Sequence, residues 1–395
     1  MNKILTPIIA KLSIVIFIFL LIYYFFAGIR SSPWEADSLA YHIPIAKLIL
    51  NGNIINPAIE TYTPPVDFYR LYQPGSLETI LSILLLANIP INIYNVIGLI
   101  ALFFALRFLA RSFKLSPEMS VIFAVSFSIV HGVIRWVNAQ TIDAWLAVFF
   151  ALSLALLQNP KKSWLYFLNL GVALGMVMGG KYTGPAFVFF LFLIYGKNLI
   201  TKLTVKNILA FSFPFLILGI SWYIRNYVLT GDPYFPQTIP FFKGIPYEVL
   251  ADPVGKMALR FPKVWFDALI SEYTVWSLAL FLTPILAFKF KDAVLIKLSI
   301  LGLLSFVIYF FLPSGPTPSL ITSGFRYTYP AFIPLILGVF LLTKRFKREN
   351  LLAVVAITNL IILPELSYHP KILLILIPIA LLIFREDLFP GKLKV

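Results

Sequence analysis

Apolar residues run in long unbroken stretches, and polar residues gather in the gaps between them. Runs long enough to cross about 30 Å of hydrocarbon lie near 7–29, 91–111, 117–135, 140–158, 164–180, 182–197, 207–224, 273–289, 293–312, 327–343, 351–366 and 370–384. They predict about 12 transmembrane helices. One further run, Ser76 to Asn88, stops at Ile89-Pro90 and is too short to cross. It predicts an embedded segment. Two gaps are long: Arg30 to about Gly75, and Arg225 to about Glu272. Both are rich in Pro, Tyr and Trp, so both are expected to carry amphipathic helices at the membrane surface. No solenoid period and no inverted repeat is visible. The pattern predicts an all-α polytopic membrane protein, with 1–395 as a single transmembrane domain.

Composition agrees. The chain is 60% hydrophobic with a mean hydropathy of +0.90, and only 12% of residues are charged. That is about half the share in a soluble domain. The first run is too long for a signal-peptide core and is expected to stay as a membrane helix. With no cysteine, disulfides and thiolate metal sites are excluded.

Charge then orients the chain. Let Ser76–Asn88 not cross, and let both termini be cytoplasmic. The clusters Arg107–Lys114, Lys161-Lys162, Lys197–Lys206, Lys289–Lys297 and Lys344–Arg348 all fall on the cytoplasmic side. That side carries the whole net charge of +15, and the outer side is neutral. This is the positive-inside pattern. The excess is spread over loop ends, so it gives no footprint for nucleic acid. Inverting the later loops would put Lys344–Arg348 outside, against the rule.

The first outer loop opens with Arg30-Ser-Ser-Pro-Trp-Glu-Ala-Asp-Ser-Leu-Ala-Tyr-His-Ile-Pro-Ile-Ala-Lys47. Ser32 as cap, Pro33 at the first position and Glu35 returning a hydrogen bond predict a helix start. Asp37 falls in the first turn, where the dipole favours a carboxylate. Leu39, Ile43, Ala46 and Leu50 give one greasy face. A surface helix presenting Asp37, Tyr41 and His42 follows, with a kink at Pro44. Other polar groups map to outer helix ends: Arg135-Trp136, Asp143, the Gly179-Gly180-Lys181-Tyr182-Thr183-Gly184 reversal, Arg225, and Gly324-Phe325-Arg326-Tyr327. Singly, each cation is explained by snorkelling to the interface. Together they suit a lipid-linked phosphate, which needs Arg or Lys at that depth, and an acceptor, which needs a carboxylate. The three histidines form no spaced ligand pair. No metal site is assigned, although Asp37 and Asp143 could share a divalent cation. There is no phosphate-binding Gly-Lys-Ser/Thr loop, dinucleotide fingerprint or Gly-x-Ser-x-Gly elbow.

Trp34-Glu35-Ala36-Asp37, Tyr41-His42, Tyr72-Gln73-Pro74-Gly75, Thr141-Ile142-Asp143-Ala144, Gly180-Lys181-Tyr182-Thr183-Gly184, Arg225-Asn226-Tyr227, Thr230-Gly231-Asp232-Pro233 and Phe325-Arg326-Tyr327 stand in one order and on one side. In this the chain resembles the GT-C superfamily of integral-membrane glycosyltransferases, in the branch of protein O-mannosyltransferases and the lipid A aminoarabinose transferase. The resemblance covers roughly residues 1–345. It implies a polyprenyl-phosphate sugar donor, a lipid, glycan or protein acceptor, and inverting transfer on the outer face. Asp37 would orient or deprotonate the acceptor, with Asp143 as a supporting acid. Lys181, Arg225 and Arg326 would take the donor phosphate, and Tyr41, His42, Tyr182 and Tyr327 would line the site. Two features depart from the family: the acidic motif is Glu-Ala-Asp rather than an adjacent Asp-Glu pair, and no soluble C-terminal domain is visible.

Two other classes compete. A transporter or flippase would carry charge at helix middles; here the middles are apolar. A non-catalytic envelope-assembly subunit would tolerate loss of Asp37. The expected location is a prokaryotic plasma or inner membrane, in contact with membrane lipids and with no nucleic-acid partner.

Overall fold

The computed structural model describes residues 5–55, 68–237, 241–242, 253–312 and 319–366. The expected span at 370–384 and the middle of each long outer loop lie outside the described residues. Among the described residues every element is helical. α1 (Leu5–Arg30) is a continuous apolar helix, and a π-helical turn (Ser38–His42) leads into α2 (Ile43–Leu50). α3 (Glu78–Leu86) packs against α2. Then follow α4 (Tyr94–Ser112), α5 (Pro117–Ser128), α6 (His131–Ile134), α7 (Asp143–Gln158), α8 (Trp164–Met178) and α9 (Gly184–Tyr195). α10 (Lys197–Ile200) is a single turn. α11 (Val205–Phe215) and α12 (Ser221–Thr230) join through a second π-turn. α13 (Val254–Arg260) precedes α14 (Pro262–Tyr273), which continues through a 3-10 turn into α15 (Ala279–Lys289). α16 (Ala293–Phe311), α17 (Ser319–Gly324), α18 (Tyr329–Arg345) and α19 (Glu349–Leu366) are the last of the described elements.

The helix ends have local causes. Ser116 accepts the Met119 N–H at 3.2 Å with Pro117 at the first position of α5. Asp292 accepts the N–H groups of Val294 and Leu295 at the head of α16. Gly231, at φ 76°, stops α12. Both π-turns adjoin a proline, Pro44 and Pro214, whose missing donor disrupts the regular ladder.

Among the described residues six helices are long and apolar enough to cross a membrane: 5–30, 91–112, 205–230, 262–289, 293–311 and 321–345. Five shorter apolar ones accompany them. This is an integral membrane protein. The span at 321–345 is 89% buried within the protein, whereas 5–30 is only 17% buried. The first is the axis of the fold, and the second turns Ile8, Phe19, Tyr23 and Phe26 to the lipid. The nine residues of α3 rise only about 14 Å, half of the hydrocarbon depth, as expected of an embedded segment.

Two expectations are corrected. The run 117–135 is not one helix: α5 ends at Ser128, and α6 restarts after Val130. Ser32 and Pro33 do not start the first-loop helix. It begins at Ala36, and Glu35 is its cap, accepting the Ser38 N–H at 2.7 Å.

Glycines set the closest crossings, as is usual between membrane helices. A Cβ at Gly171 would collide with the Phe211 carbonyl oxygen and come within 2.9 Å of Pro214, where α8 meets α11. Gly171→Leu is therefore expected to destabilise the protein by about 1–3 kcal/mol. Thermal unfolding in detergent checks this, with the exposed Leu165→Ala as a control near zero.

Candidate active site

Three separate segments meet at one end of the helix set. The first is the loop into the Ser38–His42 turn. Glu35 accepts from both the N–H and the hydroxyl of Ser38, and the Ser38 hydroxyl oxygen accepts the Gln140 N–H at 2.9 Å. Glu35 is thereby fixed beside the second segment, the loop ahead of α7. Asn95, on α4, holds that loop by donating to the carbonyls of Ala139 and Thr141 at 2.9 and 2.8 Å. Asp143 is left at the head of α7, where the dipole favours its charge. The third segment is the 3-10 turn Phe325–Thr328 ahead of α18, which carries Arg326.

Arg326 is 5% exposed, and its guanidinium meets all three carboxylates. Nη1 lies 3.4 Å from Glu35 Oε1, Nη2 donates to Asp37 Oδ2, and Nε lies 3.4 Å from Asp143 Oδ2. Its flat face lies 5.0 Å from the Trp136 ring. Lys181 Nζ donates to Asp143 Oδ1 at 2.7 Å and sits 3.6 Å from the centre of the Tyr327 ring. Arg70 Nη1 donates to Asp37 Oδ1 at 2.8 Å and covers the Tyr41 ring at 5.4 Å. The result is a closed network of three acids and three cations. Burial alone would raise the Asp37 carboxyl. Arg326, His42 and Arg70 outweigh that effect and lower it to about 2.

Five residues named from the sequence, Asp37, Asp143, Lys181, Arg326 and Tyr327, come together in this network. Tyr41 and His42 flank it but do not present themselves to solvent. They are 3% and 1% exposed, because the π-turn swings them under the loop. His42 Nδ1 instead faces Glu78 Oε1 of α3 at 2.7 Å. Tyr182 and Arg225 belong to a neighbouring cluster. Both donate to the Tyr72 carbonyl, at 2.9 and 2.7 Å, and Asn226 donates to the same oxygen. No ion pair joins Arg225 to the acids among the described residues.

Sequence reasoning missed Arg70, which nothing local distinguishes from a loop cation, and Glu78, hidden in an apolar run. It gave Glu35 a capping role only, whereas one oxygen caps and the other faces Arg326. A divalent cation shared by Asp37 and Asp143 does not fit this arrangement, because the Arg326 guanidinium bridges the two. Among the described residues no group of three or more His, Asp and Glu side chains is arranged for a metal ion.

No protein-family model and no curated protein matches the chain. Solved structures do. The crystal structure of ArnT from Cupriavidus metallidurans in the apo state aligns with a TM-score of 0.56 at 14% identity. The match covers 94% of this chain and 70% of that one. The Archaeoglobus fulgidus oligosaccharyltransferase in the apo form aligns at 0.44 and 14% identity, over 99% of this chain and 57% of that one. The first of these likenesses shows a shared fold: the chain is folded like ArnT.

The network sets the response to acid. The folded-state value of Asp37, about 2, lies below its ordinary 3.8. Its contribution is therefore complete above about pH 5 and is lost as pH falls through 4 towards 2. Thermal stability measured from pH 7 to 2 should fall over that window, and Asp37→Asn should flatten the decline. Arg326→Met leaves three carboxylates facing one another and should cost about 3–5 kcal/mol; Arg326→Lys should restore part of it.

Proposed function

We propose that the protein is a glycosyltransferase that moves a sugar from a polyprenyl-phosphate-linked donor to a lipid, glycan or protein acceptor, with inversion at the anomeric carbon. The observation that carries this reading is the convergence of Asp37, Asp143 and Glu35 with Arg326, Lys181 and Arg70 at one end of the membrane helices. That is the depth at which a lipid-linked phosphate rests, its isoprenoid in the hydrocarbon and its charge at the boundary. The fold shared with ArnT is consistent with this, and the donor class is the one implied by the sequence resemblance.

In the proposed reaction the acceptor oxygen or nitrogen bonds to the anomeric carbon as the bond from that carbon to the phosphate oxygen breaks. The electron pair leaves with the polyprenyl phosphate, and the acceptor's proton passes to a base in the site. The leaving phosphate gains charge, and cations set in place ahead of the reaction stabilise it. Lys181 and Arg326 would take that task, a phosphate competing directly with the carboxylates they now hold. Arg225 supports the Tyr72 segment beside them and is a further candidate.

Asp37 would orient the acceptor. While both its oxygens are held by guanidinium groups, and with its titration near 2, it is a weak base. A donor phosphate that draws Arg326 away would raise its basicity at the moment it is needed. Asp143 keeps Lys181 in place, Tyr327 beside Lys181 would form part of the wall, and Tyr41 and His42 would support the Asp37 turn from beneath. The charge asymmetry supports a site on the outer face with both termini cytoplasmic.

The test is transfer from a radiolabelled polyprenyl-phosphate sugar in membranes that carry the protein. Asp37→Asn should lower transfer about 100-fold or more, and Lys181→Gln should weaken donor binding. Undiminished transfer by Asp37→Asn would sink the role of that residue, and equal transfer from a soluble nucleotide sugar would sink the donor class.

A further inference from the structure

The end of the helix set opposite the acidic network holds a cavity of about 560 Å³. Its wall is made by the C-terminal ends of α4, α7 and α18 and by the head of α16. α7 starts at Asp143 and ends at Gln158; α18 starts just past Arg326 and ends at Arg345. At 1.5 Å per residue these helices separate the cavity from the network by about 25 Å, close to the depth of the hydrocarbon. Two polar sites thus lie at the two edges of one membrane, joined by the same helices.

The cavity is basic, unlike the balanced network at the other end. Lys114, Lys344 and Arg345 line it against one acid, Asp292. That acid is already engaged: Oδ1 caps α16, and Oδ2 pairs with Arg345 at 2.8 Å. Neither lysine is neutralised by it. Lys344 Nζ donates to the Lys114 backbone carbonyl, and the Lys114 ammonium group has no partner among the described residues. The remaining wall includes Leu295 and Leu341, which continue into the apolar sides of α16 and α18. Two positive charges not paired with an acid, above an aliphatic wall, match a phosphate that carries acyl chains. A free anion would gain nothing from the leucines.

We propose that this cavity is a binding site for the phosphate of an anionic lipid headgroup, in the leaflet opposite the acidic network. It uses none of the residues of the proposed transferase site. Each basic side chain near a headgroup contributes about fivefold to its retention.

The test uses the full chain, purified in neutral detergent. Retention of phosphatidylglycerol, phosphatidylcholine and inorganic phosphate is measured by native mass spectrometry, with thermal protection as the second readout. Phosphatidylglycerol should be retained several-fold better than phosphatidylcholine and should raise the unfolding temperature. Lys114→Gln, which breaks no contact in the fold, should lower retention about fivefold, and adding Lys344→Gln should lower it further. Lys344→Arg should keep binding, which separates loss of charge from loss of folding, and Lys347→Gln, outside the cavity, should change it less than twofold. Protection by inorganic phosphate rather than by the lipid, lost in the same variants, would overturn the lipid assignment in favour of a soluble phosphate compound. Equal retention of the two lipids, or no loss in the double variant, would overturn the site.

Discussion

A guanidinium buried at the head of a membrane helix must be neutralised where it stands. In a dry setting the penalty for an unpaired charge exceeds what any single packing contact returns. Arg326 meets this constraint with three carboxylates drawn from two other parts of the chain. Glu35 and Asp37 come from the loop after α1, and Asp143 from the head of α7. Each acid is in turn held by something else: Glu35 by Ser38, Asp37 by Arg70, Asp143 by Lys181. The α1–α2 loop, α7 and α18 are thus tied to one side chain. The polar supports around them, Asn95 on the loop before Asp143 and Gln140 on Ser38, keep the acids from drifting apart.

Much of this was legible in the sequence, for a physical reason. Lipid makes the hydrophobic pattern nearly obligatory, because backbone groups can be satisfied there only within helices. The helices near 91–111, 164–180 and 293–312 therefore appear where the pattern puts them. The short run at Ser76–Asn88 forms a helix of nine residues, too short to cross, as its length requires. In a chain this apolar, a charge at a helix end is costly enough to be informative, so Asp143, Lys181 and Arg326 could be picked out one by one and do meet. What stayed hidden depends on pairing across distance. Arg70 follows a loop whose residues carry no periodic signal, and only its contact with Asp37 marks it. Glu78 sits in an apolar run, and only His42 explains its charge. Arg225 and Tyr182 carry the same local signals as Lys181, yet they are drawn to the Tyr72 carbonyl.

The helix boundaries teach a related lesson. Ser32-Pro33 has good capping chemistry, but the chain does not turn helical until Ala36. Glu35 must serve both as cap and as partner of Arg326, and a helix started three residues earlier would take it out of reach. Tertiary electrostatics overrides the local preference.

The π-helical turn at Ser38–His42 gives the site a dependence on backbone winding as well as on composition. Such a turn closes over one residue more than an α-helical turn. Were the same residues wound as a regular α-helix, everything before the turn would rotate by about 100° relative to α2. Asp37 and Glu35 would then point away from Arg326, although every side chain of the network was still present. The aim of the acidic motif is thus encoded by the width of one turn, and a variant in which that turn settled into the α-ladder would disarm the motif as surely as replacing its acids.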